Sequence, residues 1–234
     1  MSHCAIVTGA SSGIGKAISE KLIDLGYEVY GIGRSFTAVN EQEHFHPVVM
    51  DLLDTKALIS FVKDIEKKDV DLLVNNAGCA YYGMHETVSV LHMQEMVRLN
   101  MEVPMILSHE LIRTLRKTSG TIINIASVTA LHESTHGAAY GATKAGLLHF
   151  SRTLFAENRK HGVNVAVILP DMTDTDLYRH ADFKADDRAG YSLCATDVAD
   201  AVEYILHARS GVCVNEVMLR PQYHSIVRKK KEER

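Results

Sequence analysis

Short apolar runs and longer stretches of helical spacing alternate along the chain. Cys4, Ala5, Ile6, Val7 and Thr8 form an apolar, β-branched run, and Ala17, Ile18, Leu22 and Leu25 then recur at helical spacing until Gly26 stops the pattern. A second strand is predicted over residues 27–33 and a third over 47–50, followed by a helix carrying Leu58, Phe61, Val62 and Ile65 that Asp54 or Thr55 can cap. Residues 71–74 predict a fourth strand. A long helical region over 86–117 is interrupted near Val103 and Pro104, because a proline inside a helix removes a hydrogen bond and kinks or breaks it. Residues 121–126 predict a fifth strand, and residues 138–160 a helix with Leu147, Phe150 and Leu154 on its buried stripe. The sixth strand, 163–169, is apolar throughout, as suits a parallel sheet covered on both faces. Residues 171–193 read as irregular, a helix begins at Thr196 and Asp197 and carries Val198, Val202, Ile205 and Leu206, and residues 212–219 predict a seventh strand.

Strand and helix alternate from end to end, with no repeat, low-complexity tract or Pro/Gly-rich linker. The expectation is an α/β fold: one Rossmann-type doubly wound domain over residues 1–234, with a parallel sheet of about seven strands and helices on both faces. A chain of 234 residues with 46% hydrophobic and 23% charged positions is long enough to bury a core. Its net charge of −4 gives no electrostatic reason to expect nucleic acid or an anionic membrane as a partner. The basic run from Arg228 onward, in residues 228–234, reads as a solvated tail partly neutralised by Glu232 and Glu233. Cys4, Cys79, Cys194 and Cys213 form no CxxC pair, the start of the chain carries no secretory pattern, and no apolar run reaches membrane-spanning length. Reduced thiols and a cytoplasmic location are therefore expected. The thirteen histidines include no HExxH, and no metal site is expected.

The first strand runs directly into Gly9, Ala10, Ser11, Ser12, Gly13, Ile14 and Gly15 before the first helix. Small residues between a strand and a helix let the backbone approach a pyrophosphate, whose charge is met by the N–H groups and dipole of the helix start. The second strand ends at Gly33, Arg34 and Ser35, where an acid would bind the ribose 2′-hydroxyl of NAD. A guanidinium there pairs instead with a 2′-phosphate, so NADP(H) is expected over NAD(H). In the opposing reading Arg34 is solvated and Glu41 or Glu43 folds back onto the ribose. Asp51, with Leu52 beside it, stands free at the end of the third strand and is a candidate for the adenine edge. Asn75, Asn76, Ala77 and Gly78 follow the fourth strand, and their amides either tie neighbouring strand ends together or line the ribose. Tyr81, Tyr82, Met84 and His85 make a loop at the ligand-binding edge of the sheet, while His132, Glu133 and His136 line a substrate mouth or are solvated.

Tyr140 and Lys144, four apart on a helix, share one face. A free tyrosine ionises near pH ~10, and bringing it to neutrality requires about 4 kcal/mol of preferential stabilisation of the phenolate, which a nearby cation supplies. Such pairs also occur on ordinary solvated helices, so the surrounding pattern decides. Ser127 ends the fifth strand, and Asn100 lies four residues before Pro104, where a distorted helix can leave its backbone carbonyl or amide free to hold a water; otherwise it is an ordinary polar helix residue.

Thr8 and Gly9 with Gly13 and Gly15 look like the TGxxxGxG of the short-chain dehydrogenase/reductase family, in its compact branch, and residues 75–78 resemble that family's NNAG. Asn100, Ser127, Tyr140 and Lys144 fall in the order and spacing of its catalytic set. The resemblance covers nearly the whole chain. It implies hydride transfer between nicotinamide and a carbonyl carbon, with Tyr140 as acid/base, Ser127 on the substrate oxygen, Lys144 lowering the tyrosine pKa and reaching the ribose, and Asn100 holding a relay water. It implies that Pro170, Thr173 and Thr175 seat the nicotinamide, that residues 171–195 cover the substrate, and that long helices pair subunits into a homodimer or homotetramer. Asp171 and Thr173 depart from the usual glycine and aliphatic residue, and Thr143 from the usual serine. An NADP(H)-dependent aldehyde or ketone reductase is the resulting expectation. The alternatives are an NADP(H)-binding sensor or scaffold without turnover and an epimerase or dehydratase using the same tyrosine; net cofactor consumption separates the reductase from both.

Overall fold

The computed structural model describes residues 3–36, 43–223 and 225–229. Seven strands, β1 (His3–Thr8), β2 (Tyr27–Gly33), β3 (Phe45–Val49), β4 (Leu72–Asn75), β5 (Thr121–Ile125), β6 (Asn164–Pro170) and β8 (Glu216–Leu219), form one parallel sheet in the order β3-β2-β1-β4-β5-β6-β8. The two short strands β7 (Phe183–Ala185) and β9 (Ile226–Arg228) pair antiparallel outside it. Helices α1 (Gly13–Asp24) and α6 (Ala195–Leu206) cover one face with Ile18, Leu22, Val198 and Val202; α2 (Thr55–Ile65) and α4 (Val103–Thr118) cover the other with Leu58, Val62, Leu107 and Leu111. The central strands are buried on both sides, which is why they read as continuous apolar runs rather than alternating ones. Chain order proceeds outward from β1 in one direction and from β4 in the other. The strand ends there diverge and leave a crevice at the C-terminal edge of the sheet.

The expected interruption of the long helical region takes a definite form. Helix α3 (Val90–Val97) begins later than expected, where Ser89 Oγ accepts from the His92 amide at 3.2 Å, and the chain then widens into a π turn over Arg98–Glu102 before α4. Pro104 supplies no amide hydrogen four residues after Asn100, so the ordinary ladder cannot close there, and the wider turn carries Asn100 into the protein interior at 0% exposure.

Three expectations change. The last sheet strand is shorter than 212–219, because residues 212–215 precede the pairing register: Glu216 is the first residue opposite β6, at Val167, and Asn215 caps the approach by donating Nδ2 to the Val165 carbonyl at 3.0 Å. On α5 (Ala138–Asn158), Leu148 is buried with Leu147, whereas Phe150 lies on a half-buried flank. Residues 171–193 include β7, and the start of the basic run is structured. Arg228 closes β9, the Lys229 amide donates to the Asp182 carbonyl at 2.8 Å, and Lys229 Nζ donates to the Tyr178 and Arg179 carbonyls at 2.7 and 3.2 Å. Strands of three residues are too short for periodicity to reveal. Residues 230–234 lie outside the described residues.

Candidate active site

A cleft of about 280 Å³ opens at the C-terminal edge of the sheet, lined in turn by the segments that leave β1, β2, β3, β4, β5 and β6. Its floor is the glycine turn. Gly9 has a φ of 68°, and a Cβ there would lie 2.9 Å from Asn76 Nδ2; at Gly13, φ 52°, a Cβ would lie 3.2 Å from Thr175 Cγ2. Both glycines are thus needed for conformation and for space. Ser12 caps α1 in an extended conformation without a side-chain hydrogen bond, and no acidic residue occupies the first turn. The backbone N–H groups of the helix start therefore remain available to an anion.

Gly9, Ser11, Ser12, Gly13, Ile14, Arg34, Asp51, Leu52, Asn76, Ala77, Gly78, Pro170, Thr173 and Thr175 all line this cleft. Gly15 does not. Its Cβ would sit well inside contact distance of the Gly9 carbonyl oxygen and 2.5 Å from Asn76 Nδ2, so its smallness serves the close packing of α1 under the turn. Ser35 does not line it either: the chain is extended beyond β2, and successive side chains point to opposite sides. Arg34 is exposed at the cleft edge and makes no ion pair among the described residues. Glu43 is exposed and does not line the cleft, and Glu41 lies outside the described residues.

The asparagines after β4 join strand ends. Asn75 Nδ2 donates to Asn124 Oδ1 at 2.8 Å, and Asn124 Nδ2 donates to Ser151 Oγ at 2.7 Å, linking β4, β5 and α5. Asn76 Nδ2 donates to the Thr8 carbonyl at 2.9 Å, while Thr8 Oγ1 accepts from the Asn76 and Ala77 amides at 2.9 and 3.0 Å. The ends of β1, β4 and β5 are thereby tied together beside the cleft.

Ser127, Tyr140 and Lys144 meet in the same cleft, each less than a tenth exposed. Ser127 follows β5, and its Oγ accepts from the Thr129 amide at 3.2 Å. Tyr140 is the third residue of α5, and Lys144 lies one turn on. Lys144 Nζ donates to the Ile125 carbonyl at 2.8 Å and lies 5.8 Å from the centre of the Tyr140 ring. Burial pushes the Tyr140 phenol up, with Tyr178 adding to the rise and Ser127 opposing it. Burial likewise pulls the Lys144 ammonium down to about 8, against a small opposing effect of Cys79. The expected lowering of the phenol by the lysine is thus not what this geometry produces: both groups sit in one dry wall, and the ammonium is directed to the backbone.

The side chain of Asn100 is fully engaged. Its Oδ1 accepts from the Cys79 amide at 2.9 Å, and its Nδ2 donates to the Cys79 carbonyl at 2.9 Å and to Thr143 Oγ1 at 3.1 Å. Thr143 in turn donates to the Tyr140 carbonyl at 2.7 Å. The side chain lies behind the cleft wall and clamps the β4 segment to α5; the π turn directs it there.

Above the cleft, Asp171 Oδ1 accepts from the Met172 amide at 2.8 Å, and Thr173 Oγ1 donates to the Asp171 carbonyl at 2.9 Å. Burial pushes the Tyr178 hydroxyl up to about 12, against a lowering by the Thr173 backbone. The Tyr82 ring lies 5.8 Å from that of Tyr140, and Tyr178 and Phe183 pack against Tyr82 and each other. Cys79, Glu95 and Leu99 line the cleft without having been singled out in the sequence, since nothing in their local pattern marks them; Tyr178 and Arg179 also line it. His132, Glu133 and His136 do not. His132 Nε2 meets Arg220 Nη2 at 2.9 Å, and the His136 carbonyl accepts from the Gly83 amide at 2.8 Å. Among the described residues no cluster of His, Cys, Asp or Glu is placed to hold a metal, and no helix is long and apolar enough to cross a membrane.

A nucleotide-binding crevice with a Ser-Tyr-Lys wall defines a class of oxidoreductase fold, and comparison with known proteins agrees. The short chain dehydrogenase family matches residues 3–185, and the chain belongs to it. An uncharacterised oxidoreductase of Staphylococcus epidermidis is 35% identical over 226 residues, covering 93% of this chain and 96% of that one. A serine 3-dehydrogenase of Agrobacterium fabrum is 29% identical over 235 residues, covering 94% of each. Among solved structures, an alcohol dehydrogenase of the archaeon Thermococcus sibiricus complexed with 5-hydroxy-NADP superposes with a TM-score of 0.85 at 26% identity, covering 95% of this chain and 98% of that one.

Proposed function

We propose that this protein is an NADP(H)-dependent reductase of aldehydes or ketones, with Ser127, Tyr140 and Lys144 at its reacting centre. The observation that carries the reading is the convergence of Ser127, Tyr140 and Lys144, all buried, on the cleft that the glycine turn floors. The crevice fits a dinucleotide phosphate: two glycines whose Cβ positions are filled, a bare helix start for a pyrophosphate, and at the edge a guanidinium, Arg34, with no ion pair among the described residues. The relative complexed with 5-hydroxy-NADP supports the same cofactor class. When bound, the dinucleotide supplies the hydride. Tyr140 Oη gives its proton to the substrate oxygen as negative charge develops there, and Ser127 Oγ donates a second hydrogen bond to the same oxygen. Lys144, at the back of that wall, holds its proton weakly enough to exchange it near neutral pH.

Tyr140 and Ser127 are buried, so hydrogen bonds they make to a substrate oxygen act in a low-dielectric wall and are strengthened there. The substrate is a small molecule, the location cytoplasmic, and the assembly a homodimer or homotetramer, which light scattering after gel filtration measures. The test is NADPH consumption against a panel of aldehydes and ketones, with Tyr140→Phe alongside. Loss of turnover with NADPH binding retained supports the mechanism, whereas undiminished turnover in the variant removes it. NADPH binding without consumption of any carbonyl would favour a sensor or scaffold.

A further inference from the structure

Two charges of opposite sign face the cleft beyond Tyr140, and neither has a charged partner among the described residues. Glu95, on α3, accepts from the Tyr81 hydroxyl at 2.8 Å. Arg179, which follows the short 3-10 turn Asp176–Tyr178, donates Nε to His180 Nε2 at 3.1 Å and Nη1 to the Asp176 carbonyl at 3.3 Å. All three partners are uncharged, since a histidine that accepts at Nε2 is the neutral form. No ion pair within 4.0 Å joins Glu95 and Arg179 to each other or to any other described residue.

Tyr81 stands between them. Burial pushes its phenol up to about 12; the Glu95 hydrogen bond and charge add to the rise, and Arg179 opposes it. The same two charges act with opposite sign on the Cys79 thiol in the cleft wall. Both therefore lie within electrostatic reach of one spot. That spot is braced: His92 stacks on Tyr81 at 3.8 Å and His180 lies over it at 5.4 Å, while Lys229 Nζ holds the Tyr178 and Arg179 carbonyls.

We propose that Arg179 and Glu95 form a two-sign substrate subsite that takes a small β-hydroxy α-amino acid, or its 3-oxo counterpart, with the carboxylate on Arg179 and the ammonium on Glu95. The inference deepens the reductase reading and rests on it. A ligand with a carboxylate alone meets Arg179 but is repelled by Glu95 and by Asp176, which also lines the cleft; one with an ammonium alone meets the reverse. An apolar ligand strips water from both charges and returns nothing. A zwitterion with its two charges on adjacent carbons serves both walls and leaves the neighbouring hydroxyl carbon for the Ser127–Tyr140 pair. In oxidation Tyr140 first gives up its own proton to solvent, the hydrogen on that carbon leaves as hydride to an oxidised nicotinamide dinucleotide, the hydroxyl proton passes to the Tyr140 phenolate oxygen, and the C–O bond becomes C=O. The products are a 2-amino-3-oxo acid, the reduced dinucleotide and one proton.

Four alcohols of one skeleton test this: threonine (both diastereomers), 3-hydroxybutanoate, 1-amino-2-propanol and 2-butanol, oxidised with NADP+ and, in parallel, bound to the Tyr140→Phe protein with NADP+ in a calorimeter. Wild type should use threonine with the highest kcat/KM. Arg179→Ala should lower kcat/KM for threonine and 3-hydroxybutanoate, mainly through KM, by roughly 10- to 100-fold relative to the two compounds without a carboxylate. Arg179→Lys should restore part of it, and Glu95→Gln should weaken threonine and 1-amino-2-propanol by roughly 10-fold relative to the other two. Unchanged unfolding midpoints exclude misfolding as the cause. If 2-butanol is oxidised as well as threonine, or if the variants lower all four equally, the subsite is refuted while the oxidoreductase reading stands. If nothing is oxidised, calorimetry decides: threonine binding that Arg179→Ala abolishes supports the subsite, and no binding to the Tyr140→Phe protein overturns it.

Discussion

Replacing Asn100 by leucine tests whether this residue clamps the cleft wall or relays protons. Asn100 is fully buried and satisfies three groups at once: the Cys79 amide, the Cys79 carbonyl and Thr143 Oγ1. Leucine fills much of the same volume but bonds none of them. Thr143 keeps its donation to the Tyr140 carbonyl, so two backbone groups of Cys79 become orphans. Each buried group left unsatisfied costs about 1–3 kcal/mol, so the variant should lose about 4 kcal/mol, a large share of the 5–15 kcal/mol typical of a domain. With a urea dependence of about 2 kcal/mol per molar, the midpoint should fall by about 2 M. The assay is urea unfolding followed by circular dichroism at fixed protein concentration, beside the kcat/KM of the protein that remains folded. A loss of stability under about 1 kcal/mol would refute the clamp.

Other outcomes follow from the same geometry. Arg34→Ala should raise KM for NADPH far more than for NADH, and equal effects on both would overturn the NADP(H) assignment. Gly15→Ala drives a Cβ into the Gly9 carbonyl and Asn76, so the turn must move; a cost of about 1–3 kcal/mol and weakened dinucleotide binding are expected, and a variant that binds with wild-type affinity would show that the turn gives way freely. Tyr27, Tyr81 and Tyr178 are raised to about 12, chiefly by burial, and Tyr82 and Tyr140 are raised as well. Because the folded values exceed the unfolded value, the native state holds these protons more firmly. The associated stability is complete below pH ~10 and is lost as pH rises toward the folded values. Alkaline titration should therefore release a burst of phenolate absorbance together with unfolding, and full titration near pH ~10 with the fold intact would contradict the burial of these rings.

What the amino-acid order determined by itself was local. Short apolar runs marked the strands and the 3.6 period the helices, the glycines between β1 and α1 marked the phosphate-sized turn, and the four-residue spacing put Tyr140 and Lys144 on a common face, because each depends on residues within one or two turns of each other. The break near Pro104 was visible for the same reason. Tertiary structure decided what depends on distant partners. Asn100 reaches Thr143 across 43 positions, and Asn75 reaches Asn124 across 49. The substrate loop is closed by Lys229, which holds the Tyr178 carbonyl 51 positions away. Lys144 is directed to a backbone carbonyl by the depth of its burial, which spacing does not encode. Glu95 looks like any surface charge in the chain, whereas Arg179 falls in the segment expected over the substrate; only tertiary structure brings α3 and that segment to line one cleft.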